Sequence, residues 1–265
     1  MKKFGKRLYI GLIFLFLYLP ILTLIVMSFN NNERTSGVWY GFTLRWFGEI
    51  FSNQDMLEAL INTLVIALAS AVIATVVGVA ACVGIMAYSR RQRRIILQLT
   101  NIPLVNAEIV TAISLMMAFA LFGISLGMGT ILFSHICFCL PYVILNVLPK
   151  LRQAGSSTYE AARDLGAGPV KAFFSVVLPD IMPGVATGFL MSFTMSVDDF
   201  VITYFNRGAG INTLSTLIYS QQKRGIRASM CALSTVIFLV VLLVLLLRYY
   251  LGSKSSADKT VKGGS

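Results

Sequence analysis

What this sequence has least of is charge. Only 12% of its 265 residues are charged and 57% are hydrophobic, where soluble domains carry about a quarter charged residues. A soluble fold of this length would lack polar surface, so lipid must solvate part of the chain. Catalytic sets are missing too. There is one histidine, His135, and no Walker motif, zinc-ligand spacing or nucleophile elbow. No enzyme chemistry, metal or cofactor is expected, and His135 reads as a buried structural residue. The four cysteines, Cys82, Cys137, Cys139 and Cys231, lie in or beside apolar runs. Cys137 and Cys139 stand two apart, which is no metal or redox spacing. They read as small packing residues. Long linkers and internal repeats are absent, so one domain over 1–265 is expected.

What is present is a series of charge-free runs: Leu8 to Phe29, Ala59 to Tyr88, Ile109 to Pro149, Ile181 to Val197 and Ala228 to Leu247. The third is about twice the ~20 residues a helix needs to cross a bilayer, and Gly123, Gly127 and Gly129 divide it. In lipid every backbone polar group must be paired within the segment, which makes these runs helices. The expected architecture is all-α and integral to the membrane, with six spans near 8–29, 59–88, 102–122, 130–149, 183–205 and 230–249. The first has a basic start but is too long for a signal-peptide core and is followed by no small-x-small site, so it reads as an uncleaved anchor. A polar tail, 250–265, follows the last.

Basic residues set the orientation. With the N-terminus in the cytoplasm, sixteen of the 22 lysines and arginines fall in inside segments and six outside. The positive-inside rule selects that arrangement, with both termini cytoplasmic. It also accounts for the net charge of +11 without nucleic acid. Ser89–Arg94 then reads as a short cytoplasmic loop, and 30–58 as an outside segment rich in interfacial aromatics, Trp46 among them.

The connection at 150–182 is the most informative stretch. Ser157-Thr158-Tyr159-Glu160 has capping-box spacing, and Gly166 is placed to end the helix it starts. Gly168-Pro169 restarts a helix with proline in its first turn, and Leu178-Pro179 is expected to stop it. A rigid helix–turn–helix on the cytoplasmic face suits either a docking knob or an amphipathic helix lying on the membrane.

The residues decide between these. Glu160-Ala161-Ala162, Gly166 and Val176-x-Leu178-Pro179 resemble the EAA motif of ABC importer permeases, EAA-x3-G-x9-I-x-LP, departing only in Val176 for isoleucine. The resemblance implies a type I (MetI-like) permease fold in which this loop is the coupling helix, with Glu160, Ala161, Ala162 and Gly166 in the element that docks on an ATPase. It extends over nearly the whole chain toward the PotC-type permeases of spermidine/putrescine importers. Tyr18-Leu19-Pro20, Ser28-Phe29-Asn30, Gly41-Phe42-Thr43, Ala112-Ile113-Ser114-Leu115, Phe133-Ser134-His135-Ile136 and Ser192 through Asp199 carry it. It implies a PotB-type partner subunit, two ATP-binding subunits, an extracellular or periplasmic polyamine-binding protein and a bacterial inner-membrane setting.

Asp198 and Asp199 lie adjacent in the fifth span. A charge at a span's centre costs roughly 2.5–3.5 kcal/mol, so two need cations nearby. On a continuous helix Ser192, Ser196, Asp199 and Thr203 share one face, and Thr187, Thr194 and Asp198 a neighbouring line. The functional reading is a wall of a cationic substrate path. The structural one is an ion pair, with Arg207 as partner. Glu108 is either a second station or a helix-end carboxylate. Trp46 either stacks on an ammonium or serves as an interfacial or binding-protein contact. The carboxylates argue against an anion as cargo and leave a metal cation or an opine as alternatives to a polyamine.

Overall fold

The computed structural model describes residues 2–33, 38–155, 157–222, 227–239 and 242. Among them no β-strand forms, and Asn30 makes an isolated antiparallel bridge with Phe42. The helices are α1 (Lys2–Ser28), α2 (Arg45–Ser52), α3 (Gln54–Ala87), α4 (Arg90–Val105), α5 (Glu108–Leu121), α6 (Met128–Ala154), α7 (Ser157–Asp164), α8 (Pro169–Ala172), α9 (Leu178–Asp198), α10 (Val201–Asn206), α11 (Leu214–Gln222) and α12 (Ala228–Leu239). Four stretches of the described residues are long and apolar enough to cross a membrane: Arg7–Ser28, Gln54–Ala87, Met128–Ala154 and Pro169–Asp198. The pair α4 and α5, bent by 104°, makes a fifth if taken as one span. The chain is thus an all-α membrane protein. Of the expected sixth span, 230–249, the described part is helical through Leu239, and the tail 250–265 lies outside the described residues.

Three expectations are corrected. The span expected at 102–122 is two helices, because Asn106 (ψ 148°) and Ala107 (ψ 133°) are extended. The basic segment Ser89–Arg94 is no loop, since α4 begins at Arg90. Ser89 Oγ donates to Gln92 Oε1 at 2.8 Å, and the Arg93 guanidinium donates to Ile85 O and Met86 O at the end of α3 and to Tyr88 O just beyond it. A cation thus satisfies orphan acceptors at a helix C-terminus. Nor does Leu178-Pro179 stop a helix. Phe173–Val177 forms a π-helical turn in which Leu178 N–H donates to Phe173 O. Pro179, with no hydrogen to give, follows where that wider turn has already shifted the ladder.

The chain divides into two compact units, 1–57 with 218–265, and 58–217. In the first, Phe29–Asn30 is tied to Gly41–Thr43. Asn31 N–H donates to Gly41 O and Thr43 N–H to Phe29 O, and Phe29 stacks on Phe42 at 5.3 Å. The second unit is built on α6 and α9. Gly184 and Gly188 lie one turn apart on α9. A Cβ on Gly184 would stand 2.8 Å from Asn146 O, and one on Gly188 3.2 Å from Val143 Cα. Between helices in lipid, small residues allow this backbone approach where hydrophobic burial drives little. Val143, Val147, Cys139 and Ile181 are fully buried around this contact.

Candidate functional site

The fifth expected span is where the polar residues gather, and it is broken. α9 ends at Asp198 and α10 begins at Val201. Asp199 between them is extended, φ −64° and ψ 129°. Its carboxylate explains the break. Oδ1 accepts from Ile202 N–H at 3.1 Å, and Oδ2 from Thr203 N–H at 2.8 Å and Thr203 Oγ1 at 2.9 Å. The side chain thereby supplies the acceptors that the first turn of α10 lacks. The single four-residue stripe expected from Ser192 to Thr203 assumed one continuous helix, and this chain has two.

The break places the two acids in different surroundings. Asp199 is 7% exposed and its neighbour Asp198 is exposed. Asp199 Oδ2 stands 3.4 Å from His135 Nε2 of α6. His135 is buried, as expected, and is a junction. Its Nδ1 lies 2.6 Å from Ser196 Oγ, and its Nε2 2.9 Å from Thr203 Oγ1. Ser196 Oγ is 3.1 Å from Ser70 Oγ of α3. Ser192 exchanges bonds with α6 one turn lower: its Oγ donates to Cys139 O at 3.3 Å, and Cys139 Sγ donates to Ser192 O at 3.4 Å. Arg207, weighed above as the acid pair's partner, donates instead to Ile211 O and Asn212 Oδ1 and lies over the Tyr204 ring. Ser192, Ser196, Asp199 and Thr203 are all buried.

The neighbouring line is open. Thr187, Thr194 and Asp198 are exposed and recur at seven and four residues on α9. Both threonine hydroxyls donate to the carbonyl one turn back, Pro183 O at 2.7 Å and Leu190 O at 2.8 Å. A hydroxyl that donates can still accept, so the exposed line offers acceptors and one carboxylate over about 16 Å of helix. Exposed Leu190 and Met191 lie between them. Such a face can bind a cationic chain with apolar stretches between its charges.

The other expected residues sit elsewhere. Glu108 is exposed at the first position of α5, where the helix dipole favours an acid. Trp46 is 5% exposed, and its indole N–H donates to Asn30 O at 2.7 Å. Its ring belongs to the fold of the 28–47 segment, with the Arg45 guanidinium 5.5 Å from its centroid.

The residues of the expected coupling loop lie together in a second place, around Gly166. α7 starts at Ser157 as expected, while the side chains of Ser157 and Thr158 in the capping box lie outside those described. Gly166 has φ +86°. Its N–H donates to Arg163 O at 2.9 Å, and Ala167 N–H to Ala162 O at 3.0 Å. These two bonds make a Schellman turn. A Cβ at Gly166 would meet nothing within 4 Å, so the left-handed φ alone demands glycine. Glu160 and Ala161 are exposed and Ala162 half-buried. Beyond the turn, Leu165 is 89% and Val170 68% exposed.

Neither His135 nor Ser70 figured among the expected site residues. The available signal was polarity: each interrupts a charge-free run within reach of the polar face of the fifth span.

Comparison with known proteins gives one consistent picture. Residues 74–256 match the family model described as binding-protein-dependent transport system inner membrane component. The spermidine/putrescine transport system permease protein PotC of Escherichia coli K12 is 38% identical over 253 residues, 96% of this chain and 94% of that protein. The putrescine transport system permease protein PotI of the same strain is 35% identical, over 93% of this chain and 90% of its own. Among solved structures, a bacterial ABC transporter involved in the import of alginate aligns with a TM-score of 0.72 at 17% identity. That alignment covers 95% of this chain and 94% of its counterpart, and it supports the permease fold.

Proposed function

The chain belongs to the family of binding-protein-dependent transport system inner membrane components, and from that premise we propose that it is the permease subunit of an ABC importer for polyamines. It is a multi-pass inner-membrane protein. The observation that carries the cargo is the 38% identity to a spermidine/putrescine permease over nearly all of both chains. The geometry supports it with the exposed Thr187–Thr194–Asp198 line, which offers oxygen acceptors and a carboxylate to ammonium groups.

In this reading the subunit performs no chemistry. It forms half of the path, and a PotB-type permease forms the other half. An extracellular or periplasmic binding protein delivers the polyamine, and two ATP-binding subunits hydrolyse ATP. Both termini face the cytoplasm. The exposed turn of Glu160, Ala161, Ala162 and Gly166 docks on one ATPase subunit, with Leu165 and Val170 as apolar contacts. Because Gly166 fixes that turn, movement of the ATPase is passed to α9 through α8 and the π-helical turn as a rigid displacement. Within the path Asp198 meets substrate, while Asp199, Ser192, Ser196 and Thr203 hold the wall in shape. Glu108 is a separate acidic station, and Trp46 shapes the outer segment.

The test is ATP-driven uptake of labelled spermidine into proteoliposomes holding the full complex, with putrescine, ferric ion and an opine as competitors. Saturable uptake blocked by putrescine alone supports the reading. Uptake of ferric ion or opine in place of spermidine overturns the cargo and leaves the permease family intact.

A further inference from the structure

We propose that His135 is a positioning residue of the substrate path: it clamps the break between α9 and α10 and so fixes where the Asp198 carboxylate stands. The proposal rests on the reading of Asp198 as the substrate-facing acid.

The polar groups around His135 can be assigned directions. Thr203 Oγ1 gives its one hydrogen to Asp199 Oδ2, since a carboxylate only accepts. The contact between Thr203 Oγ1 and His135 Nε2 at 2.9 Å therefore has the ring N–H as donor. In the neutral imidazole Nδ1 then has no hydrogen and accepts from Ser196 Oγ at 2.6 Å. Ser196 Oγ also lies 3.1 Å from Ser70 Oγ, whose hydroxyl has Ala67 O as a second acceptor at 3.2 Å. The result is one connected network, Ser70–Ser196–His135–Thr203–Asp199. It joins α3, α6, α9 and α10 and is buried throughout. In the neutral form the Thr203–Asp199 arm thus fixes the Nε2–H tautomer.

The network grips both sides of the break. Ser196 is two residues before Asp198, and Asp199 and Thr203 are one and five residues after it. Between Ser196 and Asp199 stand only Val197 and Asp198. Adjacent Cα atoms are held ~3.8 Å apart across a trans peptide, so the backbone at Asp198 cannot turn unless Ser196 or Asp199 leaves the ring. A buried network of this kind is rigid only while each member is satisfied. Removing the imidazole leaves Ser196, Thr203 and Asp199 without their shared partner. The α9–α10 junction is then free to rotate, and with it the exposed carboxylate.

Two amide replacements separate the arms of the clamp. The His135→Gln amide reaches the Nε2 position and keeps the Thr203–Asp199 arm. The His135→Asn amide reaches the Nδ1 position and keeps only the Ser196 arm. The experiment uses the full complex in proteoliposomes, with wild type, His135→Ala, His135→Asn and His135→Gln. It measures KM and maximal rate for spermidine, complex yield, and the rate at which an added Asp198→Cys thiol is labelled by a small cationic reagent. The same chains lacking the Asp198→Cys change correct for native thiols.

The expected result is a KM raised at least about tenfold in His135→Ala, as for a misplaced binding group, with His135→Gln restoring it better than His135→Asn. The labelling rate at position 198 changes in the same order. A merely structural histidine would lower yield and maximal rate and leave KM and the labelling rate alone. That outcome, or an unchanged KM in His135→Ala, overturns the proposal. The labelling rate does not depend on cargo, so absence of spermidine uptake by wild type strikes at the cargo reading. An unchanged labelling rate in His135→Ala strikes at the clamp.

Discussion

Two places in this molecule end a helix with a polar device, and they do it in opposite ways. At Gly166 the device is local. The chain turns back on itself with two backbone bonds reaching three and five residues, and only a missing Cβ is required. At Asp199 the device is distant. The carboxylate caps α10, but His135, 64 positions away in sequence, and Ser70 beyond it hold the junction. The first is exposed, and in the proposed function it presents a rigid shape to the ATPase. The second is sealed, and in the same proposal it presents its neighbour, Asp198, to the substrate. Rigidity made from backbone alone can stand at the surface, while rigidity made from side-chain hydrogen bonds needs exclusion from water.

The sharpest way to break that contrast is Asp199→Ala. It orphans Ile202 N–H, Thr203 N–H and His135 together. The expected loss is about 3 kcal/mol, seen as a lower Tm of the detergent-solubilised complex. Gly184→Ala comes next. Its Cβ would meet Asn146 O at 2.8 Å, which neither backbone can relieve cheaply. About 1–3 kcal/mol of destabilisation is expected, with Gly48→Ala, where a Cβ meets nothing within 4 Å, as the mild control. Gly166→Ala has open space but the wrong φ, and costs about 1–2 kcal/mol. That cost is expected as a Tm lowered by a few degrees together with lower substrate-stimulated ATPase activity, and Gly166→Asn should recover part of both. Smallest in stability is Asp198→Asn. An exposed side chain outside the network should shift stability by less than about 0.5 kcal/mol, while spermidine uptake falls.

The same contrast decides what could be read from sequence. The Gly166 turn was legible down to its φ, since a Schellman turn needs only neighbours within six residues. The apolar helices were legible to within about five residues at α1, α3 and α6, because solvation by lipid acts on every residue of a run. The break at Asp199–Phe200 was not. Helical spacing groups Ser192, Ser196, Asp199 and Thr203 correctly by side, yet nothing local says that α6 lies against that side. Once His135 faces it, the stripe becomes interior and the line through Asp198 becomes the open face. The bend at Asn106–Ala107 had a local mark in Pro103, Asn106 and Glu108, which the apolar character of the rest of 102–122 outweighed. Trp46 was placed in the right segment, but its commitment to Asn30 O is a contact across sixteen residues that composition does not reveal.

The central claim is the division of labour between two adjacent acids, and one paired measurement tests it. Spermidine KM and complex Tm would be determined side by side for Asp198→Asn and Asp199→Asn in the reconstituted importer. The account predicts a raised KM with unchanged Tm for Asp198→Asn, and a lowered Tm for Asp199→Asn. An unchanged KM in Asp198→Asn, or a raised KM with intact Tm in Asp199→Asn, would contradict it and put the buried acid in the substrate path.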